Sequence, residues 1–359
     1  DFTVEVERSL RVLDGAVAVF DGVHGVEPQS ETVWRQADKY KVPRVCFINK
    51  LDRVGANFIE SMNSIKEKLL AHVVPVQLPI GHEAGFEGVI DLVKMVAIYW
   101  DESGEQVTEK PIPDDLLPEA ELYRESLLEE VSEYDEELLE ALLEEKEVTS
   151  EQVNRAIRQG TITNKITPVF CGTALKNKGV QPLLDGVVHY LPSPVDIGPV
   201  RGTLPSDETK ELSLKRVKEE RFSAIAFKLM SDPFVGQLYY LRIYSGELKV
   251  GSSILNTRLS KKERPQKIFL MEASSRKEVM TATAGDIIAV AGLKYTATGD
   301  TLCDPKNPIA FEPLKFPDPV IFIAIEPKTT GDSAKLEKAL ENLQTEDPTL
   351  TVKEDNETG

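Results

Sequence analysis

Residues 49–52 read Asn49-Lys50-Leu51-Asp52, an N-K-x-D string at the end of an apolar run. These residue types suit the recognition of guanine. A carboxylate at Asp52 can accept hydrogen bonds from the N1–H and the exocyclic amine of that base, a donor pair adenine does not offer. Leaving such a buried match unmade is what makes discrimination steep. The Lys50 alkyl stem can lie along a purine face, and the Asn49 amide can tie its loop to a neighbouring one. Four residues taken alone are as readily a polar turn after a strand.

Context comes from a second strand-end loop, Thr173-Ala174-Leu175, which follows another apolar run later in the chain. In guanine-nucleotide domains a loop of this kind supplies a backbone N–H to the guanine O6. Other parts of a nucleotide site do not occur where they would be needed. No G-x-x-x-x-G-K-[ST] loop is present to cradle phosphates. The nearest string, 246–252, lacks the lysine and falls in a strand-rich region. Of the two D-x-x-G strings, Asp52 to Gly55 runs on from the last residue of the N-K-x-D string and Asp101 to Gly104 falls in a later interrupting segment, so neither precedes it. The residues present are therefore expected to shape half of a nucleotide pocket. His24, His72, His82 and His189 pair with no nucleophile and with no metal set, so no catalytic residue and no metal ligand is assigned.

The elements that must hold these loops alternate in type. Phe2, Val6, Leu10 and Leu13 recur at helical spacing. An apolar run follows at 16–20, then a polar helical stretch at 27–41 opened by Pro28, then a second apolar run at 42–48. This rhythm predicts a doubly wound α/β domain. It is interrupted between about 58 and 160 by a strand-like stretch, 73–99, and an acidic helical one. Residues 119–147 hold 13 Asp or Glu against Arg124 and Lys146. The rhythm resumes with a strand at 166–171 and a helix at 180–190. From 222 to about 316, short strands punctuated by glycine predict a β-barrel. A strand at 320–325 and a helix at 333–345 begin a further domain that the remaining residues do not complete, and both ends are expected to be cut.

With 359 residues, 41% of them hydrophobic, two or three domains are expected. No stretch approaches the 18 apolar residues of a membrane span, and residues 1–11 do not read as a signal peptide. Cys46, Cys171 and Cys303 follow no metal-ligand spacing, and a reducing, cytosolic compartment fits them. The net charge of −18 would repel nucleic acid as a uniform field, so any RNA contact needs a local basic patch. Residues 258–277 supply one, with Arg258, Lys261, Lys262, Arg264, Lys267, Arg276 and Lys277 against Glu263 and Glu272.

Several long strings make the chain resemble the elongation factor G family of translational GTPases. They are residues 1–16, the run Gly25-Val26-Glu27-Pro28-Gln29-Ser30-Glu31-Thr32-Val33-Trp34-Arg35-Gln36-Ala37, residues 49–55, residues 171–181, Ile325-Glu326-Pro327-Lys328 and Glu346-Asp347-Pro348. Thr173 and Leu175 stand where the family usually has serine and phenylalanine. The resemblance implies the C-terminal part of a GTP-binding domain over 1–195, with an insert at about 68–160. It implies a β-barrel second domain over 196–316 and the start of a ferredoxin-like third domain over 317–359. Guanine nucleotide (GTP or GDP) would meet Asn49, Lys50, Asp52, Thr173, Ala174 and Leu175, while the phosphate loop, catalytic histidine and Mg2+ ligands would precede Asp1.

The full-length protein would be a monomeric GTPase of the bacterial cytoplasm, or of an organelle, that moves tRNA and mRNA through the ribosome, and this chain alone would be inactive. Ribosomal RNA would contact Arg258, Lys261, Lys262, Arg264 and Lys267. The ribosomal stalk protein would dock on the acidic insert at 119–147, and contact with the tRNA–mRNA complex would be indirect. Two alternatives stand beside this reading: a binding fragment without catalysis, and a related translational GTPase of the release-factor or ribosomal-protection type. The string at 25–37 separates the second from elongation factor G.

Overall fold

The structure is a computed structural model that describes residues 3–232, 234–272, 275–313, 323–327, 329–347 and 349–353. Two compact units divide the chain: Leu13–Ser193, and Asp1–Val12 together with Pro194–Gly359. The opening helix α1 (Thr3–Val12) thus falls in the second unit, although the sequence suggests a domain over 1–195. Its Val12 is buried in an apolar cluster with Val200, Leu214, Ile225 and Phe227.

In the first unit, β1 (Ala16–Asp21), α2 (Pro28–Lys39) and β2 (Arg44–Asn49) follow the expected rhythm. Pro28 begins α2 at a position where its missing N–H costs nothing, behind a capping box of Glu27 and Ser30. α3 (Phe58–Leu69) is capped by Asn57, whose side chain accepts from the Glu60 N–H at 3.1 Å. With β3 (Val73–Pro75) and β8 (Thr167–Cys171), the two strands form the main sheet, which is parallel and has the order β1-β2-β8-β3. β3 lies inside the span expected for the insert and yet pairs with β8.

The insert proper is an antiparallel sheet of β4 (Gln77–Ile80), β5 (Gly88–Asp91), β6 (Val96–Trp100) and β7 (Val107–Lys110). It carries α4 (Leu117–Ser132), α5 (Glu136–Leu143) and α6 (Ser150–Ile162). The stripe formed by Leu127, Val131 and Leu138 is buried, while the carboxylates around it stay largely outside. One core runs from Phe47, Ile48 and Val169 through Leu92 and Ala97 to Leu127 and Ile157, so insert and sheet fold around shared apolar contacts. α7 (Val180–Tyr190) closes the unit.

Beyond α1, the second unit continues with the hairpin β9 (Val200–Leu204) and β10 (Asp207–Leu214). Eight strands follow that make one antiparallel, barrel-like sheet: β11 (Ser223–Asp232), β12 (Gly236–Ser245), β14 (Ile254–Asn256), β15 (Lys261–Glu263), β16 (Lys267–Glu272), β17 (Ser275–Val279), β19 (Ile287–Ala291) and β20 (Thr301–Cys303). Their order in the sheet is β15-β14-β20-β11-β12-β19-β16-β17. β13 (Glu247–Lys249) pairs with β18 (Thr281–Thr283) beside it. Beyond it, α8 (Ser333–Glu346) packs on β11. Residues 320–322 of the strand expected at 320–325 lie outside the described residues, as do Lys328 and Pro348, and 323–325 carry no strand. No helix among the described residues is long and apolar enough to cross a membrane.

Candidate functional site

The C-terminal ends of β1, β2 and β8 carry the candidate chemistry, the position at which open parallel sheets usually present ligand-binding groups. β2 is buried from Arg44 to Ile48 and reaches the surface at Asn49, so its last side chain is fixed by the strand and free to bond outward. Asn49 Oδ1 accepts the Lys50 N–H at 2.8 Å and the Ala174 N–H at 2.9 Å, joining the two loops. Lys50 takes a left-handed backbone (φ 62°), which turns the chain sharply after the strand.

Both oxygens of Asp52 are engaged. Thr173 Oγ1 donates to Oδ1 at 2.7 Å, and Lys176 Nζ lies 2.8 Å from Oδ2. Burial pushes the Asp52 carboxyl up, but the Lys176 and Thr173 hydrogen bonds and the lysine charge outweigh it, so its pKa lies below the ordinary value. The expected family contact from the Thr173 loop runs through backbone, yet here the threonine hydroxyl bonds the carboxylate, a contact serine would also supply. Leu175 is 99% exposed and touches neither Asn49 nor Asp52 through a hydrogen bond.

Sequence reasoning missed Asp21. It ends β1 in register with Asn49 on β2, with its side chain 13% exposed. Lys50 Nζ donates to Asp21 Oδ2 at 2.7 Å, and Arg53 lies 3.6 Å from the same oxygen. The Val23 N–H donates to Oδ1 at 2.9 Å. Burial raises the Asp21 pKa, but the Lys50 hydrogen bond, the Val23 N–H and the charges of Lys50 and His24 lower it further, to about 2. The available signal was a carboxylate closing the apolar strand that precedes the N-K-x-D strand in the α/β rhythm. The first D-x-x-G string is taken up structurally, its Gly55 N–H donating to Glu83 Oε1 at 2.7 Å.

Three family models match the chain in sequence order: the elongation factor Tu GTP binding domain over residues 1–193, elongation factor G domain 2 over 221–305, and elongation factor G domain III over 316–359. The chain belongs to the elongation factor G family of translational GTPases. It is 53% identical over 363 residues to elongation factor G 1 of Bdellovibrio bacteriovorus, and 53% identical over 361 residues to elongation factor G of Wolbachia pipientis. Both alignments take in 100% of this chain and 52% of the relative, so the chain spans about half the length of the curated relatives it matches. A crystal structure from Thermus thermophilus superposes with a TM-score of 0.83 at 28% identity, over 100% of this chain and 51% of that one.

Of the five cations that the elongation factor G resemblance assigns to RNA, the structure leaves unequal numbers available. Arg258, though half exposed, is paired with buried Asp300: Nε lies 2.6 Å from Asp300 Oδ1, and a terminal nitrogen donates to Asp300 Oδ2 at 2.9 Å and to the Tyr295 carbonyl at 3.3 Å. Lys267 pairs with Glu278 at 3.2 Å. Lys261 sits 4.2 Å over the Tyr295 ring. Lys262 and Arg264 line a cavity of about 380 Å³ together with Lys294, a cation outside the expected set. Buried Glu263 shapes that rim by accepting the Lys294 and Tyr295 N–H groups at 2.6 and 2.8 Å. Among the described residues no group of three or more His, Cys, Asp or Glu comes together that could hold a metal ion.

Proposed function

We propose that this chain carries the guanine-reading half of the nucleotide site of an elongation factor G, whose full-length protein couples GTP hydrolysis to movement of tRNA and mRNA on the ribosome in the cytoplasm. The observation that carries the reading is the hydrogen bond from the Ala174 N–H to Asn49 Oδ1, which joins the N-K-x-D loop to the second loop. The Thr173 hydroxyl, in the same second loop, also bonds the Asp52 carboxylate, which supports the reading. In the bound state Asp52 accepts from the guanine N1–H and amine, Lys50 lies along the ring, and backbone of residues 173–175 meets O6. Mg2+ belongs with the phosphates and is assigned to no residue here.

Within the same reading, rRNA phosphates meet the barrel through Lys262 and Arg264, with Lys261 beside them and Arg258 and Lys267 in supporting roles, since phosphate contacts need placed charge rather than base-reading geometry. The acidic helices α4 and α5 offer a basic stalk partner complementary charge, which chiefly speeds encounter. The factor acts as a monomer. Identity of 53% to elongation factor G sequences over the whole chain favours this over a release-factor or ribosomal-protection relative.

Calorimetric titration with GDP, against ADP as control, tests the reading. This chain is expected to show no saturable binding, because its sequence offers no phosphate-cradling loop. A full-length protein carrying these residues is expected to bind GDP and not ADP, and to lose that preference in Asp52→Ala. Equal binding of GDP and ADP by the full-length protein would sink the proposal.

A further inference from the structure

The second D-x-x-G string, Asp101 to Gly104, has no part in the site described so far. It forms the turn between β6 and β7, and it is rigidly assembled. Asp101 Oδ1 accepts the N–H groups of Glu105 and Gln106 at 3.0 and 3.1 Å, and its Oδ2 accepts Ser103 Oγ at 2.8 Å. The Gly104 N–H closes the turn on the Asp101 carbonyl at 3.1 Å. Gly104 itself is buried, with φ +73°.

What this turn touches is the loop that follows Thr173-Ala174-Leu175. The Gly104 carbonyl accepts from Asn177 Nδ2 at 2.9 Å and from Gln181 Nε2 at 3.0 Å. Gln181 is held from its other end by Trp100 Nε1, which donates to Oε1 at 2.9 Å. A methyl group on Gly104 would come within 2.4 Å of the Lys176 carbonyl and 2.7 Å of Asn177 Cβ. Asn177 is left-handed at φ 52°, and Lys176, its neighbour, reaches back to Asp52.

We propose that the β6–β7 turn is a buttress for guanine recognition, in which Gly104, Asn177 and Gln181 are positioning residues that hold the 173–178 loop against the Asn49 and Asp52 side chains. This rests on the guanine reading above. The loop needs such support. Across its own neck it has only the pair of hydrogen bonds between Thr173 and Lys178, at 2.9 and 3.2 Å, and a single short helical turn, Ala174–Lys176. Displacement by about 1 Å of groups that must align with a ligand is enough to cost on the order of a hundredfold in function. The insert and the base-reading loop are thereby mechanically joined, so a partner bound to the insert has a physical route to the nucleotide.

Asn177→Gly tests this with little backbone disturbance, since glycine accepts the left-handed conformation while removing the amide donor. Gln181→Ala is the second variant. Amide hydrogen exchange on this chain is expected to accelerate by about threefold to tenfold at Ala174 and Lys176, the scale of one lost hydrogen bond, while Val169 and Phe170 on β8 stay unchanged. In a full-length protein carrying these residues, affinity for GDP is expected to fall about tenfold and that for IDP, which lacks the 2-amino group but keeps O6 and N1–H, to fall with it, while the urea midpoint stays unaltered. Unchanged exchange at Ala174 overturns the buttress, and so does a loss of nucleotide affinity that only follows a lowered urea midpoint, which would mark a merely structural role. If the unmutated protein shows no preference for GDP over IDP, the guanine reading fails instead, and the exchange result still decides whether the turn holds the loop.

Discussion

Asp21 shows how a single carboxylate can matter more than its sequence neighbourhood suggests. It anchors the Lys50 ammonium at 2.7 Å, and so fixes the stem that would lie on the purine. Its folded-state pKa, about 2, lies below the ordinary aspartate value of about 3.9. A depressed carboxylate contributes stability that is fully present above its unfolded pKa and is lost as pH falls through the folded one. The contribution of Asp21 is therefore expected to fade between about pH 4 and pH 2. Asp21→Asn should lower the urea midpoint at pH 7 and flatten the pH dependence in that window. Parallel acid curves for both proteins would refute the assignment. The residue escaped sequence reasoning because its partnership depends on the parallel register that sets Asp21 beside Asn49, which no local string encodes. Thr173 escaped in part for the same reason: its hydroxyl matters only because Asp52, 121 positions earlier, is folded against it. Cys46 and Cys171, by contrast, lie in apolar runs of the sequence, where burial is the ordinary outcome. All three cysteines are buried and free, and burial pushes the Cys46 thiol up to about 12, out of reach of easy ionisation.

At the scale of elements, α7 appeared in the sequence with the bounds it has in the structure, because glycine before it and Leu191-Pro192 after it leave little choice. Its packing was not legible. Gly186 faces Phe170 on β8 so closely that an added methyl would lie 2.1 Å from the ring tip. Alanine in a helix gains about 1 kcal/mol over glycine, whereas overpacking a buried contact costs about 1–3 kcal/mol. With Phe170 itself buried, the clash wins, and Gly186→Ala is expected to destabilise the chain by about 1–2 kcal/mol in denaturant unfolding. A gain in stability would show that α7 can shift away from the sheet at little cost. The opening helix shows the opposite limit. Its periodicity was plain, but the unit it joins follows from where Val12 finds apolar partners, and periodicity carries no such address. The basic stretch divides in the same way, since composition counts charges while the structure commits Arg258 to Asp300 and leaves Lys262 and Arg264 on the rim.

For the whole molecule, the order of domain types was written in the texture of the sequence: α/β rhythm, then an acidic insert, then short strands with glycine. The pairing of distant pieces was not, and the contacts that join residues 49–52, residues 173–178 and the β6–β7 turn are such pairings. The same is true of the boundary of the parallel sheet. β1 is paired only with β2, and its other edge faces no strand among the described residues. Val17 and Val19 on it are 38% and 59% exposed, whereas β8, inside the sheet, is buried throughout. An open edge with apolar side chains is a template for any extended segment that can complete it, including the same strand of a second molecule. The chain is thus expected to self-associate as its concentration rises, and Val19→Lys should suppress this in sedimentation velocity. A concentration-independent profile for the unmutated chain would show the edge to be inert. β1 ends at Asp21, where Lys50 is tethered, so a strand stitched along this seam would press on the N-K-x-D loop from the side opposite the insert.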